Sequence, residues 1–387
     1  MKSFNHLFEK LINHDNIFKA IVCASRGKRN RHDVRHVLDN INRYVYRLQD
    51  ILTSGKLFIR KHDAEMIHDN GKDRLIVKPD FIFEQILHHA LVQVLLPIFM
   101  PSMYKWSCGS LPKRGGVYGK KYLERYIKHH QNKIKYAAKG DIKQFFQSID
   151  TDVVKRKLAR KIHDERFLNV MYIVLDSNIA NYEGEDVYMG LPIGYYISQI
   201  LANWLLTDFD YEIKQKHLVK CYVRYVDDFT FLGTAKRHLH RVMVAIREYL
   251  AEQLHLKIKS NYQVFKFNFI DKFNNVKGRV IDFMGFKFYR NKVLLRKNIL
   301  FSAFRKARKI FTKQKLNWYD STQILSYLGW FKHADVYGVF ARYIKPYVNI
   351  GECKKIVSLH SYKERKKKNV IYLEKYREYG RAIACWW

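Results

Sequence analysis

Three aspartates in this chain have the type and placing to do metal chemistry. Asp227 and Asp228 are adjacent in CYVRYVDDFTFL (221–232), and Asp141 lies in KYAAKGDIKQFFQSID (135–150). Two neighbouring carboxylates at a hairpin tip repel each other, and a divalent cation relieves them because hard cations take carboxylate oxygens. A lone Asp-Asp pair is more often a polar surface turn. Asp141, at the end of a separate strand, gives this pair a third carboxylate with which to converge. Such a set can hold two Mg²⁺ ions roughly 3.5–4 Å apart, one to activate a primer 3′-oxygen and one to hold a triphosphate and steady its leaving group. Mg²⁺ keeps several waters and phosphate oxygens, so few protein ligands suffice.

The elements that must position these residues follow from hydrophobic periodicity. Val219, Cys221, Val223 and Tyr225 alternate with Lys220, Tyr222 and Arg224, and Phe229 and Phe231 continue after the turn. Period-two alternation of this kind predicts half-buried strands around Val226-Asp227-Asp228. In a second strand Tyr136, Ala138, Gly140 and Ile142 flank Asp141, which sits where the strand ends. In MGLPIGYYISQILANWLLTDFD (189–210), Pro192 and Gly194 mark a turn, and Ile197, Ile200, Leu201, Trp204 and Leu205 form a helix stripe. DRLIVKPD (73–80) reads as a short strand ended by Pro79. It leads into a buried helix with Phe83, Ile86, Leu87, Ala90, Leu91, Val94 and Leu95 at helical spacing. SCGSLPKRGGVYGKK (107–121) reads as a Gly-rich loop in which Lys113 and Arg114 could meet a phosphate, although most such loops are only turns. An amphipathic helix is expected over 237–254, strand-like character in LHLKIKSNYQVFKF, a hairpin over 281–298 turning at Arg290-Asn291, and basic helices from 299 to about 348. His88-His89 is expected to be packed or solvated. The terminal Trp386-Trp387 is read first as packing, then as a stacking platform or oligomer contact.

Composition narrows the partners. The 387 residues are too many for one small core, and 48% apolar with 15% aromatic content is ample for packing. Lys and Arg total 71 against 36 Asp and Glu, a formal charge of +35 that calls for an anionic partner. Nucleic acid fits, because each neutralised phosphate releases counterions. A dense cationic run, RGKRNRHDVRH (26–36), is either a nucleic-acid contact or a solvated helix face. No membrane partner is expected: the longest apolar run, 86–100, is interrupted by His88, His89, Gln93 and Pro97, and MKSFNHLFEK has no signal-peptide core. Five scattered cysteines without a CxxC pair support neither a zinc site nor a disulfide framework, and a reducing cytoplasm fits.

In four ordered blocks the chain resembles the reverse transcriptases: DIKQFF (141–146), IGYYISQ (193–199), YVDD (225–228) and FMGF (283–286). The resemblance runs from Asp73 to about Val348. It implies an α+β right-hand polymerase fold with fingers, an antiparallel-sheet palm and a helical thumb. The implied parts are a basic extension and fingers over 1–135, a palm over 136–290 with a fingers-type insertion near 152–188, a thumb over 291–350 containing SYLGWFKHAD, and a basic tail over 351–387. Asp141, Asp227 and Asp228 would be both catalytic residues and metal ligands, with the Ile142 carbonyl as a further ligand for two Mg²⁺, or Mn²⁺ in their place. Phe146 falls at the steric-gate position that selects deoxynucleotides. Lys72 and Arg74 would grip the triphosphate, Ile193 and Gly194 would lie beside the incoming base, and Lys259 would help pyrophosphate leave. Tyr225, Ser198, Gln199, Lys113 and Arg114 would face primer and template, and Phe283, Met284, Gly285 and Phe286 would form a primer grip.

Where many relatives carry Gln-Gly…Ser-Pro, this chain has Ile193-Gly194 and Ser198-Gln199. That variant resembles the defence-associated, abortive-infection-like and diversity-generating retroelement branches. Losing the amide beside the nascent pair predicts weaker discrimination at template bases. Misincorporation should fall in Ile193→Gln, and equal error rates in the two proteins would end the idea. No endonuclease-type His/Cys cluster or room for an RNase H domain is seen. This favours an enzyme serving a dedicated structured noncoding RNA, with deoxynucleotides and cDNA as its other partners and an accessory protein or homo-oligomer left open. A role in antiviral defence is expected ahead of retroelement diversification. Template-independent synthesis and a non-catalytic, maturase-like RNA binder are the remaining alternatives.

Overall fold

The computed structural model describes residues 3–69, 71–313 and 316–376. It is a mixture of helices and sheets, in keeping with the α+β expectation. The chain falls into two compact units. The first comprises Met1–Pro112, Lys139–Phe229 and His240–Gln263; the second comprises Lys113–Ala138, Thr230–Leu239 and Val264 onward.

The first unit starts with helices α1 (Leu7–Ile12), α2 (His14–Ala24), α3 (His32–Asp39) and α4 (Ile41–Thr53). Each is amphipathic; α4 buries Ile41, Tyr44, Val45, Leu48 and Leu52, the spacing of one helix face. The Asn13 side chain caps α2 by accepting from the Asp15 and Asn16 N–H groups. Strands β1 (His62–Asp69) and β2 (Lys72–Val77) form a hairpin, registered Asp69↔Lys72 through Ala64↔Val77. Only β2 is expected from the sequence. Helix α5 (Ile86–Phe99) packs on α2 and is buried over most of its length. Phe83 is a correction: with φ 71° it sits in an irregular turn before α5, outside the helix. Phe81–Phe99 is apolar and long enough to cross a membrane by length and composition, but 67% of that window is buried inside the protein, so a core contact accounts for its apolarity.

The chain continues through β3 (Ser107–Cys108), α6 (Gly116–His129), β4 (Tyr136–Asp141), α7 (Phe145–Ser148), α8 (Thr151–Ala159) and α9 (Glu165–Asp176). It then forms β5 (Ile179–Tyr182), β6 (Glu185–Tyr188), α10 (Tyr196–Leu205), α11 (Thr207–Tyr211), β7 (Cys221–Tyr225), β8 (Asp228–Gly233), α12 (Lys236–Leu254) and β9 (Gln263–Lys266). The Gly-rich loop is shorter than the sequence implies, since α6 already begins at Gly116. One sheet has the order β2-β1-β5-β6, with β1 and β5 parallel; another has the order β3-β7-β8-β4-β9. In β7, Cys221 through Arg224 are all buried and Tyr225 is exposed. The strand lies inside its sheet and is covered on both faces, so the half-buried reading is corrected.

The second unit adds a small hairpin, β10 (Phe269–Ile270) and β11 (Val276–Lys277), and a meander of β12 (Ile281–Phe283), β13 (Phe286–Phe288) and β14 (Val293–Leu295). The expected single hairpin over 281–298 is therefore three strands with two turns. Met284 (φ 52°) and Gly285 (φ 83°) make the first, the left-handed pair that a two-residue hairpin loop needs. Helices α13 (Lys297–Phe311), α14 (Trp318–Phe331), α15 (Tyr337–Tyr343) and α16 (Ile350–Tyr376) complete the unit. Asp320 of α14 is buried between the ammonium groups of Lys306 of α13 and Lys313 just beyond that helix, at 2.7 and 2.5 Å. Helix α16 takes up much of the basic tail; Trp386-Trp387 lies outside the described residues.

Candidate active site

The geometry begins where β4 ends. Asp141 is its last residue, and the next N–H, that of Ile142, donates to the Asp227 carbonyl at 3.3 Å. On its other side the Lys259 N–H donates to the Asp141 carbonyl at 2.9 Å, and Ile142 bridges Ile258. Backbone pairing thus fixes Asp141 beside the β7–β8 turn. Gly140 allows this approach, because a Cβ there would stand 2.4 Å from the Phe229 ring of β8.

The turn itself is strained and braced. Val226 adopts φ 57°, unusual for a β-branched residue. Its N–H donates to the Cys108 carbonyl at 3.0 Å, and its carbonyl accepts from the Arg224 guanidinium at 2.8 Å. Arg224 is fully buried and also donates to both Asp210 carboxylate oxygens at 2.7 Å and to the Asn203 side chain at 3.1 Å. The Tyr222 hydroxyl donates to the same Asp210 at 2.7 Å. Sequence reasoning missed Arg224, Asp210 and Asn203. The available signal was a basic residue inside a run of strand-forming residues, three positions before the aspartate pair.

The three carboxylates act on one another electrostatically. Burial and the charge of Asp141 push Asp227 above the usual carboxylate range, opposed by Lys259 and Lys72. Burial pushes Asp228 up to about 6; Lys139 opposes it, while repulsion from Asp141 and Asp227 and a side-chain hydrogen bond with Asp141 add to it. Lys259 forms an ion pair with Asp141. That contact, together with Asp227 and Asp228, raises the Lys259 ammonium against the opposing effect of burial.

A cavity of about 510 Å³ opens over these groups. Its wall brings together Lys72, Arg74, Asp141, Ile142, Phe146, Ile193, Gly194, Ser198, Gln199, Tyr225, Asp227, Asp228 and Lys259. Its volume is in the range of small-molecule sites. Phe146 stands on the single turn of α7, entered through Gln144 at φ 44°. Gly194 has a further reason to be glycine: at φ 117° a Cβ would stand 1.8 Å from the Val77 carbonyl, and the Val77 N–H donates to the Ile193 carbonyl at 2.8 Å. Ser198 is buried and its hydroxyl has no hydrogen-bond partner among the described residues, whereas Gln199 is exposed. Lys113 and Arg114 belong to the second unit and do not line this cavity. Phe283, Met284, Gly285 and Phe286 also belong to that unit, and their side chains are buried, with Gly285 packed on Trp330. The Phe283 and Phe286 rings are core, so a primer grip at this block would act through the Met284-Gly285 turn. His88 is buried against Tyr195, at 4.6 Å between rings, and is held neutral to about pH 3 by burial.

The donor set is of the kind a hard divalent cation takes: three carboxylates on the wall of one cavity, two of them raised above the usual carboxylate range by burial and by their neighbours' charge. Among the described residues no three His, Cys, Asp or Glu side chains stand close enough to ligate one ion as placed, and the Lys259 ammonium holds a cation's position at Asp141.

Comparison with known proteins finds a family match that spans these residues. Residues 59–288 match the family described as "Reverse transcriptase (RNA-dependent DNA polymerase)". Protein YkfC of Escherichia coli (strain K12) is 22% identical over 153 residues, 38% of this chain and 39% of that protein. The match thus spans well under half of the relative's length. Among solved structures, apo telomerase from Candida tropicalis gives a TM-score of 0.49 at 14% identity over 70% of this chain and 53% of that one. Telomerase from Candida albicans with a TWJ fragment of telomeric RNA gives 0.44 at 11% identity over 75% and 55%. The family match covers more than half of the chain and includes the strand end, the turn and the cavity wall, and on that ground the chain belongs to the reverse transcriptase family.

Proposed function

We propose that this protein is an RNA-directed DNA polymerase that copies a dedicated noncoding RNA in antiviral defence. The observation that carries the catalytic reading is the convergence of Asp141, Asp227 and Asp228 at the floor of one cavity whose wall also holds Lys72, Arg74 and Phe146. Reverse transcriptases generally use divalent metal ions. Asp141, Asp227 and Asp228 would hold them, Mg²⁺ being our reading, and when bound they supply charge neutralisation at the primer oxygen and the leaving pyrophosphate. Lys72 and Arg74 draw the triphosphate towards the carboxylates. Phe146 excludes a ribose 2′-hydroxyl by contact. Lys259, paired with Asp141 here, would turn to the departing phosphates. Side-chain acid–base work is small; positioning and charge neutralisation carry the rate.

The defence reading rests on Ile193-Gly194 with Ser198-Gln199 and on the basic N-terminal helices, which suit a tightly held RNA. Retroelement diversification is the reading to beat, and the neighbouring genes decide between them. The direct test is primer extension on an RNA template with Mg²⁺. Wild type should make cDNA and Asp227→Ala should lose at least about a thousandfold, as expected when a group that positions transition-state charge is removed. Product without RNA would turn the reading to terminal transfer. RNA binding unaffected by Asp227→Ala, with no synthesis by either protein, would leave only an RNA binder. Sequencing the co-purified nucleic acid would name the template.

A further inference from the structure

The β10–β11 hairpin of the second unit presents an apolar surface that the catalytic reading does not use. Ile270, Phe273 and Val276 are 60%, 71% and 69% exposed within a span of seven residues. Ile270 and Val276 are register partners, and Phe273 stands at the tip. The tip is a built turn. The Asp271 carboxylate accepts from the Phe273 and Asn275 N–H groups at 2.9 Å each, the Asp271 N–H donates to the Asn275 carbonyl at 3.0 Å, and the Asn274 N–H donates to the Asp271 carbonyl at 3.0 Å. Asp271 is the one acidic residue of the hairpin, and the Lys277 ammonium sits 2.8 Å from it. The flanking charges are positive: Lys266 lies over the Phe269 ring at 4.0 Å, and Lys272 lies 4.9 Å from the centre of the Phe273 ring.

We infer that this hairpin is a docking element for single-stranded RNA, with Phe273 as a stacking platform and Lys266 and Lys272 meeting the phosphates. Three observations favour that occupant. An exposed aromatic beside lysines is the combination that holds a single strand, since every base has a π-face and every link a phosphate. The surface is nearly free of uncompensated negative charge, as a polyanion requires. The tip is held by its own carboxylate, so little ordering is lost when a base arrives. The choice of RNA rests on the RNA-directed reading above; the stacking surface itself does not.

The test uses the full chain and a fluorescein-labelled primer–template carrying a single-stranded RNA extension, with a blunt duplex of the same core as its control. Phe273→Ala should weaken binding of the extended substrate by about tenfold, the usual loss when one base–aromatic stack is removed. Phe273→Trp should restore it, and the blunt duplex should be unaffected. Photocrosslinking from 4-thiouridine in the extension should reach the hairpin in wild type. Because Phe273 is exposed, the melting temperature should hold in both variants. Equal affinities of wild type and Phe273→Ala for extended RNA would overturn the inference while leaving the polymerase reading intact. So would a loss seen only with a DNA extension, only on anionic vesicles, or only as a change in oligomeric state. A wild type that binds no RNA would remove both readings together.

Discussion

Asp228 is held in the folded chain against its own chemistry. Its carboxyl titrates near 6, above the ordinary 3.8, because it is buried and because Asp141 and Asp227 repel its charge. A carboxyl whose pKa is raised on folding binds its proton more tightly in the folded state. Its contribution is therefore favourable on the acid side and is lost as pH rises from about 4 to 6. Asp228→Asn should abolish synthesis yet make the ion-free protein about 1–2 kcal/mol more stable at pH 7.5, a shift of this size discounted for partial exposure. Urea unfolding at pH 4 and 7.5 reads this directly: the gap between variant and wild type should be near zero at the lower pH, full at the higher, and narrowed by Mg²⁺. A variant less stable than wild type at pH 7.5 contradicts the argument. Phe146 gives a prediction of selectivity. Its ring lines the cavity from the turn after Asp141. Phe146→Ala should raise ribonucleotide incorporation relative to deoxynucleotide by about 10–100-fold, the usual range for a steric difference of this size. An unchanged ratio would remove the gate.

At the scale of elements, the β7–β8 turn depends on a brace behind it. Arg224 joins the Val226 carbonyl to Asp210 of α11 and Asn203 of α10, all inside the first unit. Arg224→Met alone leaves Asp210 buried and uncompensated and should cost about 3–5 kcal/mol. Adding Asp210→Leu removes the orphaned charge and should return most of the stability. It does not return the hydrogen bond to Val226. We therefore expect the double variant to melt near wild type, with kcat down at least about tenfold and a raised Mg²⁺ requirement. If it polymerised like wild type, the brace would matter to folding alone. This brace also marks where sequence reading stopped. The strand–turn–strand around Asp227, the strand ending at Asp141, and α10 were legible because period-two and helical patterns are local. Arg224 was read as solvent-facing because alternation assumes one wet face, and β7 has none. Strand β1 (HDAEMIHD) was missed because it is mostly polar and its parallel partner β5 lies far away in sequence; the Asn-Gly step between β1 and β2 was the local hairpin signal that could have found it. The FMGF block was recognisable, but burial of its rings beside Trp330 needed the folded second unit.

Over the whole molecule, charge and aromatic surface should separate in experiment. A formal charge of +35 on 387 residues means that the proposed affinity for RNA should come largely from displaced counterions. For a single strand, each phosphate contact should add about 0.7 to the slope of log affinity against log salt. A template held along a basic groove by five or more contacts should then show a slope steeper than about −3.5. Chemistry in the cavity should respond differently, because Asp141, Asp227, Asp228 and Lys259 are partly buried and buried pairs are weakly screened. At saturating template, kcat should change little between 50 and 200 mM salt, while the apparent Kd rises by orders of magnitude. Phe273→Ala should displace the binding line downward without altering its slope, since stacking releases no counterions. Lys272→Ala should flatten it by about one contact. A salt slope near zero in wild type would mean that the positive charge serves no polyanion, and the nucleic-acid reading of this basic chain would have to be abandoned.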